Sequence, residues 1–196
     1  MTITGLILAG GRGTRMEHAD KGLQAFTGMP LVQHVLTRLK PQVNQLIINA
    51  NRNLDRYQRF EEPVWSDTMP DFAGPLAGLQ TGLLHCSTPL LASVPCDSPF
   101  LPLDLVECLH AALIASDAEL AVVATGNGDE RRSHPVFCLM KTTLLPHLTA
   151  YLLNGGRKVS TWQATRKMIE VHFDDETAFR NINSHDDLHR FEATAK

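Results

Sequence analysis

The chain has 196 residues, of which 43% are hydrophobic and 20% charged, and its net charge is −3 with histidine neutral. This composition excludes an intrinsically disordered chain, and the lack of a basic block argues against a nucleic-acid-binding surface. The length suits one domain, and we expect residues 1–196 to form it. Because Cys86, Cys96, Cys108 and Cys138 form no C-x-x-C pair, neither a zinc site nor a redox motif is predicted.

Short apolar runs alternate with amphipathic stretches in the first half of the chain, as in strand–helix units around a parallel sheet. In chain order, strands are predicted at residues 3–9, 46–48, 64–65 and 90–94, and helices at residues 31–39, 76–84 and 103–114. The first apolar run is too short for a signal peptide or a membrane span, and no basic segment precedes it. We therefore expect a cytoplasmic protein.

The second half of the chain is less regular. Strands are predicted at residues 120–124, 136–140 and 168–173, and helices at residues 143–153, 159–165 and 188–192. Asn127-Gly128 is a turn signal between the first two of these strands, which predicts an antiparallel excursion with a charged tip at residues 129–132. Ser184 and Asp187 are typical of the start of the last helix. The pattern predicts an α/β fold with a mostly parallel sheet.

A glycine-rich turn, Gly10-Gly11-Arg12-Gly13, directly follows the first predicted strand. Glycines at such a turn let backbone amides converge on an anion, and Arg12, Arg15 and Lys21 add charge suited to a polyphosphate. The dinucleotide-binding fingerprint would need a third glycine at Met16, and the Walker sequence G-x-x-x-x-G-K-[ST] is missing. The residues alone therefore indicate a phosphate loop of another kind, or an ordinary turn with solvated arginines.

The motif L-A-G-G-x-x-x-R-M at residues 8–16, followed by Asp20-Lys21, resembles the signature of nucleotidyltransferases that join a nucleoside triphosphate to a phosphorylated acceptor. Further motifs match in order and spacing: Asn49-Ala50-Asn51-Arg52, Asp67, Gly74-Pro75-Leu76-Ala77-Gly78, Pro95-Cys96-Asp97-Ser98-Pro99 and Asn181-Ile182-Asn183. The ordered set resembles the MobA-type family of bacterial molybdenum cofactor guanylyltransferases. The chain departs from the family pattern at Glu17-His18, where a glycine usually follows the R-M pair.

This resemblance implies a three-layer Rossmann-like nucleotidyltransferase fold and the transfer of GMP from GTP to molybdenum-bearing molybdopterin. It implies a GTP site that contains Leu8, Ala9, Gly10, Lys21, Asn49, Asp67 and Asp97. Six further residues are implied to lie toward the pterin: Arg15, Gly74, Gly78, Arg157, Asn181 and Asn183. Lys21, Arg15 and Asp97 would be the catalytic residues, and Asp97 would hold Mg²⁺. The implied partners are GTP, molybdopterin, and molybdenum-insertion and molybdoenzyme chaperone proteins, with no nucleic acid or membrane.

Elementary chemistry agrees with these assignments. A phosphate monoester acceptor is already ionised near neutral pH, because its second pKa is about 6, so no base is needed to deprotonate it. The difficulty is bringing two anions together, which calls for positive charge and alignment. Taken singly, Asp97 could cap the turn that follows it, and Lys21 could be a surface lysine. The alternatives are a CTP-dependent pterin or sugar-phosphate nucleotidyltransferase, and a non-catalytic nucleotide-binding protein.

Overall fold

The computed structural model describes residues 2–11, 20–69, 74–184, 186–187 and 190–191. The following residues, which the sequence analysis singled out, lie outside these ranges: Arg12, Gly13, Arg15, Glu17 and His18. Most of the predicted last helix, residues 188–192, lies outside them too. Its expected start is described: the Asp187 amide donates to the Ser184 hydroxyl at 3.1 Å, and the Asp187 carboxylate accepts the Ser184 amide at 3.0 Å. This reciprocal pairing is the arrangement of a capped helix start.

Nine strands and six α-helices occur in the described part of the chain. The strands are β1 (Ile3–Leu8), β2 (Ala25–Phe26), β3 (Met29–Pro30), β4 (Gln45–Asn49), β5 (Val64–Trp65), β6 (Leu90–Pro95), β7 (Leu120–Thr125), β8 (Arg132–Lys141) and β9 (Met168–Phe173). The helices are α1 (Leu31–Leu39), α2 (Leu54–Tyr57), α3 (Pro75–His85), α4 (Leu105–Ala115), α5 (Leu145–Leu153) and α6 (Val159–Gln163). The short hairpin β2–β3 and helix α2 were not predicted.

Seven strands form one sheet in the order β5-β4-β1-β6-β8-β7-β9. All neighbours pair in parallel except β8, which is antiparallel to both β6 and β7. Because side chains alternate across a strand, Ile7 of β1 contributes to the core beneath α1 and α4, and Leu6 to the core beneath α3, α5 and α6. The predicted three-layer α/β fold with an antiparallel element is confirmed.

The antiparallel strand differs from its prediction in length and place. It begins at Arg132 rather than at residue 136, so Arg132 belongs to the strand and not to the charged tip. The register of β7 against β8 shifts between Val122 and Val123, from Cys138 to His134. Pro135 lies within that shift, and proline has no amide hydrogen to continue the ladder. β8 is therefore paired with β7 in two segments, one on each side of a bulge at this proline. The apolar pattern predicted only the second of these segments.

No helix in the described ranges is long and apolar enough to cross a membrane. All four cysteines are free thiols, and Cys96 and Cys138 are buried. Burial raises the pKa of the Cys138 thiol to about 12, so this side chain is protonated at neutral pH and serves packing.

Candidate active site at the carboxyl edge of the sheet

The predicted nucleotide residues follow strands whose carboxyl ends lie side by side. Leu8 at the end of β1 is in register with Asn49 of β4 on one side and with Pro95 of β6 on the other. Two backbone bonds extend this alignment beyond the strands: the Ala9 amide donates to the Asn49 carbonyl at 2.8 Å, and the Cys96 amide to the Leu8 carbonyl at 3.1 Å. Open α/β sheets bind their ligands at this edge.

A polar network joins the ends of β4 and β5. The Asp67 carboxylate accepts the side-chain amide of Asn49 at 2.8 Å through Oδ1 and that of Asn51 at 2.7 Å through Oδ2. The Asp67 backbone amide returns a bond to Asn51 Oδ1 at 2.8 Å. Asn49 is only 2% exposed. An ionised carboxylate has about four lone-pair positions, so two remain for a ligand after these two amide bonds.

The glycine turn after β1 is held by side chains that follow β4. Asn51 Nδ2 donates to the Gly10 carbonyl at 3.2 Å, and an Arg52 guanidinium nitrogen donates to the Gly11 carbonyl at 3.1 Å. The Ala9 amide is used in the sheet, so it is not available to a ligand.

Two predicted site glycines, Gly10 and Gly78, pack directly on Asn49. A Cβ atom on Gly78 would lie 2.5 Å from Asn49 Oδ1 and 2.5 Å from a Leu8 methyl group, and one on Gly10 would lie 3.0 Å from Asn49 Oδ1. A side chain at Gly78 would displace Asn49 or Leu8, and one at Gly10 would first displace Asn51, whose Nδ2 atom would lie 2.7 Å from the added Cβ. The structure therefore gives Gly78 a packing role beside the nucleotide residues; its assignment to the pterin side stays a prediction.

A second cluster lies at the ends of β6 and of the segment before the last helix. Lys21 Nζ lies 3.4 Å from Asp97 Oδ2 and donates to Asn183 Oδ1 at 2.5 Å. Ser98 donates to the Asn181 side-chain oxygen at 2.7 Å, and the Ile182 amide donates to the Asp97 carbonyl at 2.8 Å. The structure thus brings Asn183, predicted on the pterin side, against Lys21, and places Asn181 against Ser98, the residue after Asp97.

Asp97 is only 6% exposed. This burial raises the pKa of its carboxyl above the ordinary value, while the charge and hydrogen bond of Lys21 act in the opposite direction. No cluster of three or more metal-ligating side chains occurs in the described ranges. A single buried carboxylate fits Mg²⁺, which commonly takes one or two carboxylates together with substrate phosphate oxygens.

Sequence reasoning missed the residues that fix the turn carrying Lys21. Asp20 accepts the Tyr57 hydroxyl at 2.5 Å and the Asn53 side-chain amide at 3.0 Å. Tyr57 is fully buried, and the pKa of its phenol is raised chiefly by that burial. The Asp20-Lys21 motif indicated a role for Lys21. The local sequence could not predict that Asp20 would bond a tyrosine 37 positions later in the chain.

Gly74 and Arg157 lie on the α3 and α5 side of the sheet. Gly74 is the N-cap of α3 and has a φ of 75°. Arg157 donates to the carbonyls of Leu152 and Gly156 at 3.0 and 2.8 Å, in the turn after α5. Because α5 packs against α3, the two residues lie on the same face of the sheet. The pterin-side roles of both residues stay predictions.

The sequence matches a known domain and several curated proteins. The MobA-like NTP transferase domain matches residues 5–169. A molybdenum cofactor guanylyltransferase from Bordetella petrii is 57% identical over 182 residues, which cover 93% of each chain. A protein of the same name from Cupriavidus taiwanensis is 55% identical over 192 residues, covering 97% of this chain and 96% of its own.

Solved structures share the fold at much lower identity. The molybdopterin-guanine dinucleotide biosynthesis protein A from Archaeoglobus fulgidus superposes with a TM-score of 0.80 at 21% identity, covering 98% of each chain. A 4-diphosphocytidyl-2C-methyl-D-erythritol synthase from Anaerococcus prevotii gives 0.76 at 13% identity, over 99% of this chain and 98% of its own. Proteins with different names thus share this fold, so the fold by itself does not choose the nucleotide.

Proposed function

The chain belongs to the MobA-like NTP transferase family, and we propose that it is a molybdenum cofactor guanylyltransferase. It transfers GMP from GTP to the terminal phosphate of molybdenum-bearing molybdopterin, giving the guanine dinucleotide form of the cofactor and pyrophosphate. The observation that carries this proposal is the identity of 57% over 93% of both chains to a protein of that name. The polar residues gathered at the carboxyl edge of the sheet support it.

We propose that Asp67 recognises the guanine base. Guanine presents two adjacent donors, N1–H and N2–H₂, to which the two oxygens of one carboxylate are complementary. Cytosine presents a single donor group and two acceptors on the corresponding edge, and the acceptors would face the negative carboxylate. The Asn49 and Asn51 amides hold Asp67 and leave lone pairs for the base. This complementarity favours GTP over CTP.

We propose that Lys21 aligns the two reacting phosphates. The acceptor oxygen attacks the α-phosphorus of GTP, forming a new P–O–P bond, while the bond from the α-phosphorus to the bridging oxygen breaks and releases pyrophosphate. No proton has to be removed from an ionised acceptor phosphate. Lys21 contacts Asp97, which we assign to the nucleotide, and Asn183, which we assign to the acceptor, and these two contacts support the proposal. A fixed charge there offsets the repulsion between the two anions.

We propose Mg²⁺ as the cofactor, with Asp97 and the triphosphate as its ligands. The ion would supply positive charge to the triphosphate. Asp97 contributes a buried carboxylate whose backbone is held by the bond from the Ile182 amide and whose side chain lies beside Lys21. Arg15 stays a proposed catalytic residue on the family pattern.

Measurement of pyrophosphate release with molybdenum-loaded molybdopterin, comparing GTP with CTP, tests the function. We expect turnover with GTP and little with CTP. Faster turnover with CTP would replace the guanylyl assignment by the cytidylyl alternative, and no turnover with either nucleotide would favour a non-catalytic binding protein. Calorimetry of GTP binding with and without Mg²⁺ tests the role of the metal in the same preparation.

We further propose that the reaction takes place in the cytoplasm, where GTP is available, and that molybdenum-insertion and molybdoenzyme chaperone proteins deliver the substrate and receive the product. Cell fractionation and co-purification with such proteins would test the two statements.

A further inference from the structure

We infer that Asn51 is a positioning residue for nucleotide selection, which fixes the Asp67 carboxylate and couples it to the glycine turn that receives the phosphates. The inference rests on the proposed function, and it adds that Asn51 makes the recognition of guanine by Asp67 selective. Asn51 touches two parts of the site at once, the base-recognition carboxylate and the phosphate turn.

The hydrogen bonds of Asn51 use its side chain in both directions. Its Nδ2 group donates to Asp67 Oδ2 at 2.7 Å and to the Gly10 carbonyl at 3.2 Å, while its Oδ1 accepts the Asp67 amide at 2.8 Å. Both acceptors face the NH₂ group and the donor faces the oxygen, so the orientation of the amide is determined by its three partners. A rotated amide would lose all three bonds.

These contacts constrain Asp67 more than one hydrogen bond would. Asn51 contacts both the backbone and the carboxylate of Asp67, so it sets the position of the residue and the rotation of its side chain. Asn49 completes the constraint through Oδ1. A carboxylate held at both oxygens presents its remaining lone pairs in fixed directions, and a pair of donors such as N1–H and N2–H₂ can meet them without reorganisation.

Only an amide serves all three partners at this position. In an Asn51→Asp variant the new carboxylate could still accept the Asp67 amide, but its second oxygen would face the Asp67 carboxylate and the Gly10 carbonyl. Both of those are acceptors, so two bonds would become repulsive. In Asn51→Ala the bonds are lost without new repulsion. If Asn51 only fills space, Asn51→Asp should lower activity less than Asn51→Ala, because aspartate has nearly the same shape as asparagine. If Asn51 positions Asp67, Asn51→Asp should lower activity more.

The experiment compares GTP with ITP, whose base lacks the 2-amino group, in the full-length chain and in Asn51→Ala, Asn51→Asp and Asn51→Ser. The readout is kcat/KM for pyrophosphate release with each nucleotide. Asn127→Ala is the matched control, because Asn127 is an exposed residue of the turn between β7 and β8. Thermal unfolding shows which variants fold, and Asn51→Ser replaces Asn51→Ala if the latter does not.

We expect the unaltered chain and Asn127→Ala to prefer GTP over ITP by about tenfold or more, the effect of one hydrogen bond to a charged group. The preference should shrink toward unity in Asn51→Ala, chiefly through loss with GTP. In Asn51→Asp the loss with GTP should be larger, and it should be partly relieved at acidic pH, where one of the paired carboxyls takes up a proton.

An unchanged GTP-to-ITP ratio in folded Asn51→Ala or Asn51→Ser would overturn the role of Asn51 alone. Lack of turnover with GTP in the unaltered chain would overturn the proposed function itself.

Discussion

The ammonium nitrogen of Lys21 lies 3.4 Å from the carboxylate of Asp97, although the two residues are 76 positions apart in the chain. Asp97 is buried, and the side chain of Lys21 is about a quarter exposed, 23%. This pair places a positive charge and the carboxylate that we propose as the metal ligand side by side at the edge where β1 and β6 end. The proposed reaction needs both, because a triphosphate and a second anion must be neutralised together.

The first prediction concerns Asp97 in catalysis. Asp97→Asn keeps the shape of the side chain but removes the charge that would hold Mg²⁺, so we expect pyrophosphate release to fall to near the background rate. GTP-dependent pyrophosphate release at several Mg²⁺ concentrations is the measurement. Asp174→Asn is the control, because the Asp174 side chain is fully exposed. Wild-type turnover in folded Asp97→Asn would refute the proposed metal role.

The second prediction concerns the stability of the metal-free protein. Burial raises the pKa of Asp97, so the fold favours the neutral carboxyl, and the stability from this preference is lost as the pH rises through the raised pKa. Asp97→Asn should therefore increase the free energy of unfolding at neutral pH. The gain should vanish below the ordinary carboxyl pKa of about 3.9, where both side chains are neutral.

Urea unfolding without divalent cations at neutral and acidic pH measures this difference. With Mg²⁺ and GTP added, the order should reverse, because ligand binding stabilises only the chain that retains the carboxylate. A variant less stable than wild type at neutral pH in the metal-free state would contradict the prediction.

The third prediction concerns Lys21. Lys21→Met keeps much of the aliphatic length and removes the charge, and we expect kcat/KM for GTP to fall by about 10²–10³, as for loss of one charge-stabilising donor. Lys40→Met is the control, since Lys40 pairs with Glu62 on the surface and its side chain is 68% exposed. A loss of less than about tenfold would argue against direct contact with the phosphates.

The fourth prediction separates packing beside the nucleotide from packing in the core. Gly78→Ala places a Cβ 2.5 Å from Asn49 Oδ1, and Gly82→Ala places one 2.4 Å from a Leu6 methyl group, one turn later on the same helix. Both should lower the free energy of unfolding by about 1–3 kcal/mol through overpacking. Only Gly78→Ala should also raise KM for GTP, since only Gly78 contacts Asn49. Thermal unfolding and steady-state kinetics distinguish the two effects, and equal KM values would contradict the assignment.

The fifth prediction concerns Tyr57. Tyr57→Phe removes the hydroxyl that donates to Asp20 at 2.5 Å and leaves the buried ring in place. We expect stability to fall by about 1–3 kcal/mol, the cost of losing a hydrogen bond to a charged group. Because Asp20 directly precedes Lys21, kcat should fall as well, whereas KM for GTP should change little. If kcat is unchanged while stability falls, Tyr57 has only a structural role.

The local sequence was sufficient for most elements in the fold. The strand at residues 168–173 and the helix at residues 31–39 have the predicted bounds, because each is an apolar pattern of one period bounded by polar or turn residues. The carboxyl edge was also accessible from sequence, since Leu8, Asn49 and Asp97 each lie at or just beyond the end of a predicted strand. Parallel strands bring such ends together.

The sequence did not reveal that β8 inserts between β6 and β7, because strand pairing depends on contacts between distant segments that no local pattern encodes. The same holds for single side-chain partners. Lys21 and Asn183 are 162 positions apart, and Asn51 and Asp67 are 16 apart on different strand ends. Residue types and spacing determined the chemistry that this chain can perform, whereas the tertiary structure alone decided which oxygen faces which nitrogen. Hydrogen bonds depend on distances of a few tenths of an ångström, and only the packed sheet sets them.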